Sequence, residues 1–280
     1  MDFNSILNVW YVDDCLRFGS IDGEIINPDD YHKIKKISIH GSSIPNGLDN
    51  LERLWIKCGG LFGNKLDYIP PYLVNLIQLE CTYSNIKNIP ETLINLRILN
   101  CSNNWLLENL PPSLTNLTHL YCEYTDISDI PETYTNLEFL NCQFNKVSAL
   151  PKTLKKLNTL NTQYIKHIPS SLTSLKYLGI NTDTTIPNTL INIETILYHD
   201  IYRDNLIDNV KVIKSNLHPQ LISITHVGAL YGEVEFKTPH KDALIKFMRV
   251  CKRRIYFNLL NQAVEMDYYL TKNIVSYMYD

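Results

Sequence analysis

An aliphatic residue followed by proline recurs along this chain, at Ile69-Pro70, Ile89-Pro90, Leu110-Pro111, Ile130-Pro131, Leu150-Pro151, Ile168-Pro169 and Ile186-Pro187, in steps of 20, 21, 20, 20, 18 and 18 residues. An Ile44-Pro45 stands 25 residues before the first, with "GGLFG" in the excess. Within each unit the same grammar returns, I-P-x-x-L-x-N-L-x-x-L-x-C-x-x-N-x-I, with leucine pairs at Leu76/Leu79, Leu96/Leu99, Leu117/Leu120, Leu137/Leu140, Leu157/Leu160 and Leu175/Leu178. Weaker copies stand at Ile34/Ile37, Leu51/Leu54 and Ile193/Ile196. A period of about twenty residues accommodates a strand and a return path, and is too short for a strand plus a full helix. No such unit can bury its own apolar face, so successive units must stack, strand upon strand at about 4.8 Å, into one continuous column.

The end of the leucine segment sets the faces of that strand. In L-x-x-L-x-C the last residues alternate, so Leu79 and Cys81 point to one side and Gln78 and Glu80 to the other. Cys81, Cys101, Cys122 and Cys142 therefore share an inward slot that other units fill with Ile39, Ile56, Thr162 and Ile180. A slot that accepts isoleucine is apolar and small, and a free cysteine serves there as a small hydrophobe. A metal ladder would need thiolates converging in tetrahedral reach, which a linear file between leucines does not offer. The asparagine slot (Asn104 and Asn145, with Ser84 and Thr125 in neighbouring units) reads as structural, its side chains satisfying backbone groups where the strand turns away. The proline, with φ near −65° and no donor, suits an extended, polyproline-like return path.

These units resemble those of the leucine-rich repeat family, in its short-repeat variety known from cytosolic bacterial effectors with "LPxxLxxLxxLxxxxN". They are also similar to the Asn-, Ile- and Tyr-rich repeats of giant-virus and amoebal proteins. The resemblance covers roughly residues 34–199. It implies a solenoid in the form of a horseshoe, with a parallel β-sheet on the concave face. It is nearly silent about the ligand, since fold does not set function. The bacterial effectors often append a cysteine-dependent ubiquitin ligase domain. Here 80 residues follow position 200, with the single Cys251 on an apolar-basic helical pattern, and the ligase activity does not carry over.

The expected organisation is an N-terminal cap over 1–33, repeats over 34–200, degenerate repeats or strands over 201–238, and a helical C-terminal cap or subdomain over 239–280. "FNSILNVWYVDDCL" has a mixed helix-or-strand pattern, "INPDDY" is a turn signal, and "GEVEF" alternates like a strand. Leu244, Phe247, Met248 and Cys251, then Leu259, Leu260, Ala263 and Val264, fall at helical spacing. The basic run "KRR" at 252–254 reads as a solvated helix face, with phosphate or an acidic partner as the alternative.

The net charge of −3 and pI near 6.2 argue against a nucleic-acid binder. No run of about 18 apolar residues is present, so no membrane span is expected. The start of the chain has no basic region ahead of its apolar stretch and does not read as a signal peptide. Of the seven cysteines four follow the repeat rather than disulfide or zinc spacings, which points to a reducing, cytoplasmic compartment. The chain contains no GxGxxG, P-loop, HExxH, GxSxG or CxxC, and its eight histidines are scattered. No enzyme activity, cofactor, metal or small-molecule substrate is expected.

Function is expected instead on the displayed side of the strands. By register this comprises Arg53, Trp55 and Lys57; Gln78, Glu80 and Thr82; Ile98, Asn100 and Ser102; His119, Tyr121 and Glu123. It continues with Phe139, Asn141 and Gln143; Thr159, Asn161 and Gln163; Tyr177, Gly179 and Asn181. One residue further on, a rim carries Tyr83, Tyr124, Phe144 and Tyr164. Aromatics projecting from a rigid scaffold are typical interface anchors. The binding set expected from sequence is Arg53, Trp55, Glu80, Tyr83, His119, Tyr121, Tyr124, Phe139, Phe144, Tyr164 and Tyr177, with a protein as partner. The leading reading is a non-enzymatic interaction scaffold. The alternatives are an adaptor that recruits a ubiquitin ligase or similar machine through its C-terminal helices, and a structural component of a viral particle.

Overall fold

A computed structural model of the protein describes residues 5–12, 15–18, 23–56, 66–181, 184–200, 223–228 and 232–237. Lys57, the suggested degenerate coils within 201–222, and the helical segment 239–280 with Cys251 and the basic run at 252–254 lie outside the described residues.

Each leucine segment forms one short strand. After a hairpin of β1 (Leu7–Val12) and β2 (Cys15–Phe18) come β3 (Lys36–His40), β4 (Arg53–Ile56), β5 (Gln78–Glu80), β6 (Ile98–Asn100) and β7 (His119–Tyr121). They are followed by β8 (Phe139–Cys142), β9 (Thr159–Thr162), β10 (Tyr177–Ile180), β11 (Thr195–Asp200), β12 (Ser223–Gly228) and β13 (Gly232–Lys237). Among the described residues these make one 13-stranded sheet in the order β13-β12-β11-β10-β9-β8-β7-β6-β5-β4-β3-β1-β2. Neighbours from β3 to β12 run parallel in strict register, Leu79 opposite Leu99, Leu99 opposite Leu120, Leu120 opposite Leu140. At each end an antiparallel strand is added, β2 on β1 and β13 on β12. The result is a parallel β-solenoid of stacked, leucine-bearing coils.

The mixed pattern at the N-terminus thus resolves to strand. A 3-10 helix over Pro28–Lys33 follows, with the Asn27 side chain accepting from Asp29 N–H. Tyr31 from this helix is buried, and its hydroxyl accepts from Leu16 N–H at 2.9 Å, tying hairpin to helix.

The core is the leucine column. Leu54, Leu79, Leu99, Leu120, Leu140, Leu160 and Leu178 are buried, as are the leucines of the preceding slot and the aliphatics before each proline from Ile69 to Ile186. The four repeat cysteines are buried and free. Each thiol donates a weak hydrogen bond to a carbonyl one coil on: Cys81 to Asn100 O, Cys101 to Tyr121 O, Cys122 to Asn141 O and Cys142 to Asn161 O, at 3.4 to 3.6 Å. Burial pushes the thiols of Cys101 and Cys142 up to about 12 and that of Cys122 well above its ordinary value. The asparagine slot is buried too. Asn104 Nδ2 donates to Cys81 O at 2.8 Å and Cys101 O at 2.9 Å, while its Oδ1 accepts from Ile86 N–H at 3.0 Å.

The return path departs from the polyproline-like wall expected from sequence. After Pro90 come two tight turns in tandem: Leu93 N–H donates to Pro90 O, then Leu96 N–H to Leu93 O. The same pair recurs at Leu114/Leu117 and Tyr134/Leu137. The turns prevail because they bring both leucines of each unit inward and satisfy backbone groups that an extended chain would leave to water. Two side-chain ladders then knit coil to coil where there is no sheet. In one, Asn75, Asn95, Asn116 and Asn136 donate to the carbonyls of Asp49, Val74, Ile94 and Thr115 at 2.8 to 3.0 Å. In the other, Thr92, Ser113, Thr133 and Thr153 donate to those of Pro71, Glu91, Pro112 and Glu132 at 2.6 to 2.7 Å.

Candidate functional site

Strand alternation sends the leucines and cysteines into the core and leaves three rows of side chains crossing the outer face of the sheet. The first row runs Arg53, Gln78, Ile98, His119, Phe139, Thr159, Tyr177, and the second Trp55, Glu80, Asn100, Tyr121, Asn141, Asn161, Gly179. The third, one alternation later, runs Thr82, Ser102, Glu123, Gln143, Gln163, Asn181.

The rows are not uniformly exposed. Arg53 and Tyr177 are exposed, the latter at 46%, whereas Trp55, Glu80, His119, Tyr121 and Phe139 are half-buried and Asn141 is buried. Ring stacking accounts for three of these. Tyr121 and Phe139 lie 4.6 Å apart, centroid to centroid, and His119 stacks with Phe139 at 5.9 Å and 12°. The three rings form one apolar patch on β7 and β8. A shallow groove of about 360 Å³ adjoins it, lined by His119, Phe139, Glu138, Lys156 and Thr159.

The rim has a property that the sequence hides. Tyr83, Tyr124 and Phe144 adopt left-handed backbone conformations, with φ of 55°, 51° and 52°, and Asn103 holds the same slot at 62°. Asparagine tolerates this region, but an aromatic side chain there is strained. The conformation is held because the rim N–H groups continue the inter-coil ladder, Tyr83 to Ser102 O, Asn103 to Glu123 O and Tyr124 to Gln143 O. Tyr124 and Phe144 stack at 4.4 Å and 6°. Where the slot holds Asn103, the ring comes from Trp105, two residues on, which reaches Tyr124 at 6.2 Å. Trp105 is 63% exposed and was not among the residues expected from sequence, because its position in the repeat is elsewhere aliphatic or polar. Its exposure in "CSNNW", beside the turn-forming asparagines, was the available signal. Tyr164 is exposed at the next coil.

Polar groups on the face are paired side by side. Gln78 Nε2 donates to Glu80 Oε1 at 2.8 Å. Asn141 Nδ2 donates to Glu123 Oε1, and burial pushes the Glu123 carboxyl up from the ordinary range. Strands β5 to β10 contain no lysine or arginine.

No protein-family model matches the sequence, and no curated protein sequence matches it. Among solved structures the chain is similar to a leucine-rich-repeat protein of Leptospira interrogans, at 18% identity and a TM-score of 0.43 over 70% of this chain and 62% of that one. It is similar to the functional domain of InlJ from Listeria monocytogenes, which includes a cysteine ladder, at 19% identity and 0.44 over 73% and 56%. It is also similar to the Arabidopsis receptor kinase HAESA, solved with the peptide hormone IDA and the co-receptor SERK1, at 23% identity and 0.46 over 69% and 38%. The chain thus spans less than two thirds of the length of each of these proteins.

Proposed function

We propose that this protein is a non-catalytic scaffold that holds a protein segment against the open face of its sheet, in the cytoplasm. The observation that carries this reading is the aromatic patch of His119, Tyr121 and Phe139. It sits mid-sheet, flanked along the strands by the rim stack of Tyr124 and Phe144. Rigid aromatics set in a scaffold lose little conformational freedom on binding, which is why they dominate interface energetics. Arg53, Trp55, Glu80, Tyr83, Tyr164 and Tyr177 extend the surface toward its two ends. The cytoplasmic assignment is supported by four buried free thiols that a reducing compartment keeps intact. The adaptor reading depends on residues 239–280, which lie outside those described.

Affinity capture from native cytosol tests the reading, with Tyr121→Ala/Phe139→Ala as control. The double variant is expected to fold, with a thermal midpoint lowered by a few degrees because the two rings support each other. It is expected to lose the captured partner, since truncating central aromatics costs about 2 kcal/mol or more of binding. Undiminished capture by the folded double variant would move binding away from this face.

A further inference from the structure

The positive charge of the sheet is gathered at one end. From β3 to β11 the strands carry two basic residues, Lys36 on β3 and Arg53 on β4, and these stand opposite each other in register. Like charges directly opposite on adjacent strands repel, and the pairing is unfavourable unless an anion relieves it. Neither residue has an ion pair among the described residues.

Just ahead of β3 to β7 a shallow groove of about 680 Å³ crosses the coils, its lining including Lys33, Lys35, Arg97, Asn75, Asn95 and Asn116. Among the described residues Glu52 is its one acid, paired with Lys35 at 2.9 Å, and Lys33 is paired with Asp30 at 2.6 Å. Both pairs are at the surface, where they hold weakly and can open to an incoming carboxylate. Arg97 is exposed, and its guanidinium has no ion pair or hydrogen bond among the described residues. In a chain of net charge −3, this end of the molecule thus presents three unpaired cations, Lys36, Arg53 and Arg97. The asparagines decide which anion fits. Each spends one Nδ2 hydrogen on a carbonyl of the coil before it, at 2.8 to 3.0 Å, and keeps Oδ1 and a second hydrogen for other partners. A polypeptide backbone offers both donors and acceptors to such a row, whereas a phosphate backbone offers acceptors alone and would face Oδ1 without a donor.

We propose that this groove receives an acidic polypeptide segment: its carboxylates engage Arg97 and the Lys36–Arg53 pair, and its backbone hydrogen-bonds the asparagine amides. Arginine suits this role because its guanidinium takes a carboxylate through two parallel hydrogen bonds. The strand edges link Lys35 to Glu52, Glu52 to Ile77 and Ile77 to Arg97 by backbone bonds, so the two ends of the groove are three coils apart. That is roughly 14 Å, the span of about four extended residues. The groove lies apart from the aromatic patch of β7 and β8 and shares only Arg53 with the surface proposed above, so it stands whatever that patch binds.

The test titrates the full chain into fluorescently labelled peptides of about eight residues, alternating serine with glutamate, glutamine or lysine, and into single-stranded oligothymidylate of matched length. Anisotropy should show the glutamate peptide binding roughly tenfold tighter than the other three probes, and weakening as salt is raised. Arg97→Gln, and separately Lys36→Gln/Arg53→Gln, should each weaken that binding roughly tenfold. Lys155→Gln removes the same charge from an exposed lysine outside the groove and should leave the binding unchanged. Equal binding of the glutamine or lysine peptide, tighter binding of oligothymidylate, no binding by the glutamate peptide, or an equal loss in Lys155→Gln overturns the proposal. Loss of the glutamate peptide in Tyr121→Ala/Phe139→Ala with full retention in Arg97→Gln seats it on the aromatic patch, which overturns the groove and leaves the face reading standing. Retention in that double variant and loss in Arg97→Gln, alongside undiminished partner capture, leaves the groove standing and the face reading fallen.

Discussion

At the scale of single residues, the same repeat position can be comfortable or strained, and the difference is measurable. Asn103 occupies the left-handed rim slot at φ 62°, while Tyr83 occupies it at 55° with its ring 55% exposed. Tyr83→Asn is expected to stabilise the free protein by about 1 kcal/mol, read as a higher urea midpoint, because it relieves backbone strain and uncovers little core. A lower midpoint would mean that the ring packs more tightly than its exposure suggests. The cysteines make a second residue-scale case. Their folded-state pKa is raised by burial, from 9.0 to about 12 for Cys101 and Cys142, so the folded chain keeps protons that the unfolded chain gives up. The stabilising contribution is therefore fully present below pH 9.0 and falls progressively as pH rises toward about 12. Denaturant midpoints across that window should decline, and less steeply in Cys101→Ala/Cys142→Ala. An identical decline in both proteins would assign the alkaline loss to other groups.

At the scale of one coil, hydrogen bonding changes its carrier between the two sides. On the strand side backbone pairs with backbone. Across the tandem turns the backbone bonds stay within a coil, so the coil-to-coil bonds there come from the Asn75–Asn95–Asn116–Asn136 and Thr92–Ser113–Thr133–Thr153 ladders. These side chains are at the surface, where water replaces a lost partner. Asn116→Ala should therefore cost about 1 kcal/mol or less, and Asn95, Asn116 and Asn136 changed together roughly the sum. Asn104→Ala is expected to cost more, about 3 kcal/mol, because it strands Cys81 O, Cys101 O and Ile86 N–H in the core. Chemical denaturation of the variants checks both; equal costs would mean that burial of the asparagine is not what matters. The tandem turns behind these ladders were not legible from Pro90 or its equivalents, because proline opens a turn as readily as it extends a chain.

At the scale of the molecule, stacking like coils yields a long sheet that uses the same register throughout, with an antiparallel strand added at each end. Coil length, the inward leucines, the buried cysteines and the identity of the displayed rows could all be read from the chain. They follow from a period near twenty and from strand alternation, and both are properties of neighbouring residues. Only the tertiary structure decided how the displayed residues behave. Tyr121 is half-buried because Phe139 in the next coil lies against it, and Trp105 joins the rim because Tyr124 is within reach. Among the described residues no donor reaches Gln163 Oε1, because its neighbours in adjacent coils supply none. Each of these depends on residues about twenty positions apart that meet only when one coil lies on the next. A linear pattern records which side chains face out, but the contacts between coils determine which are stacked, strained or left wanting a partner.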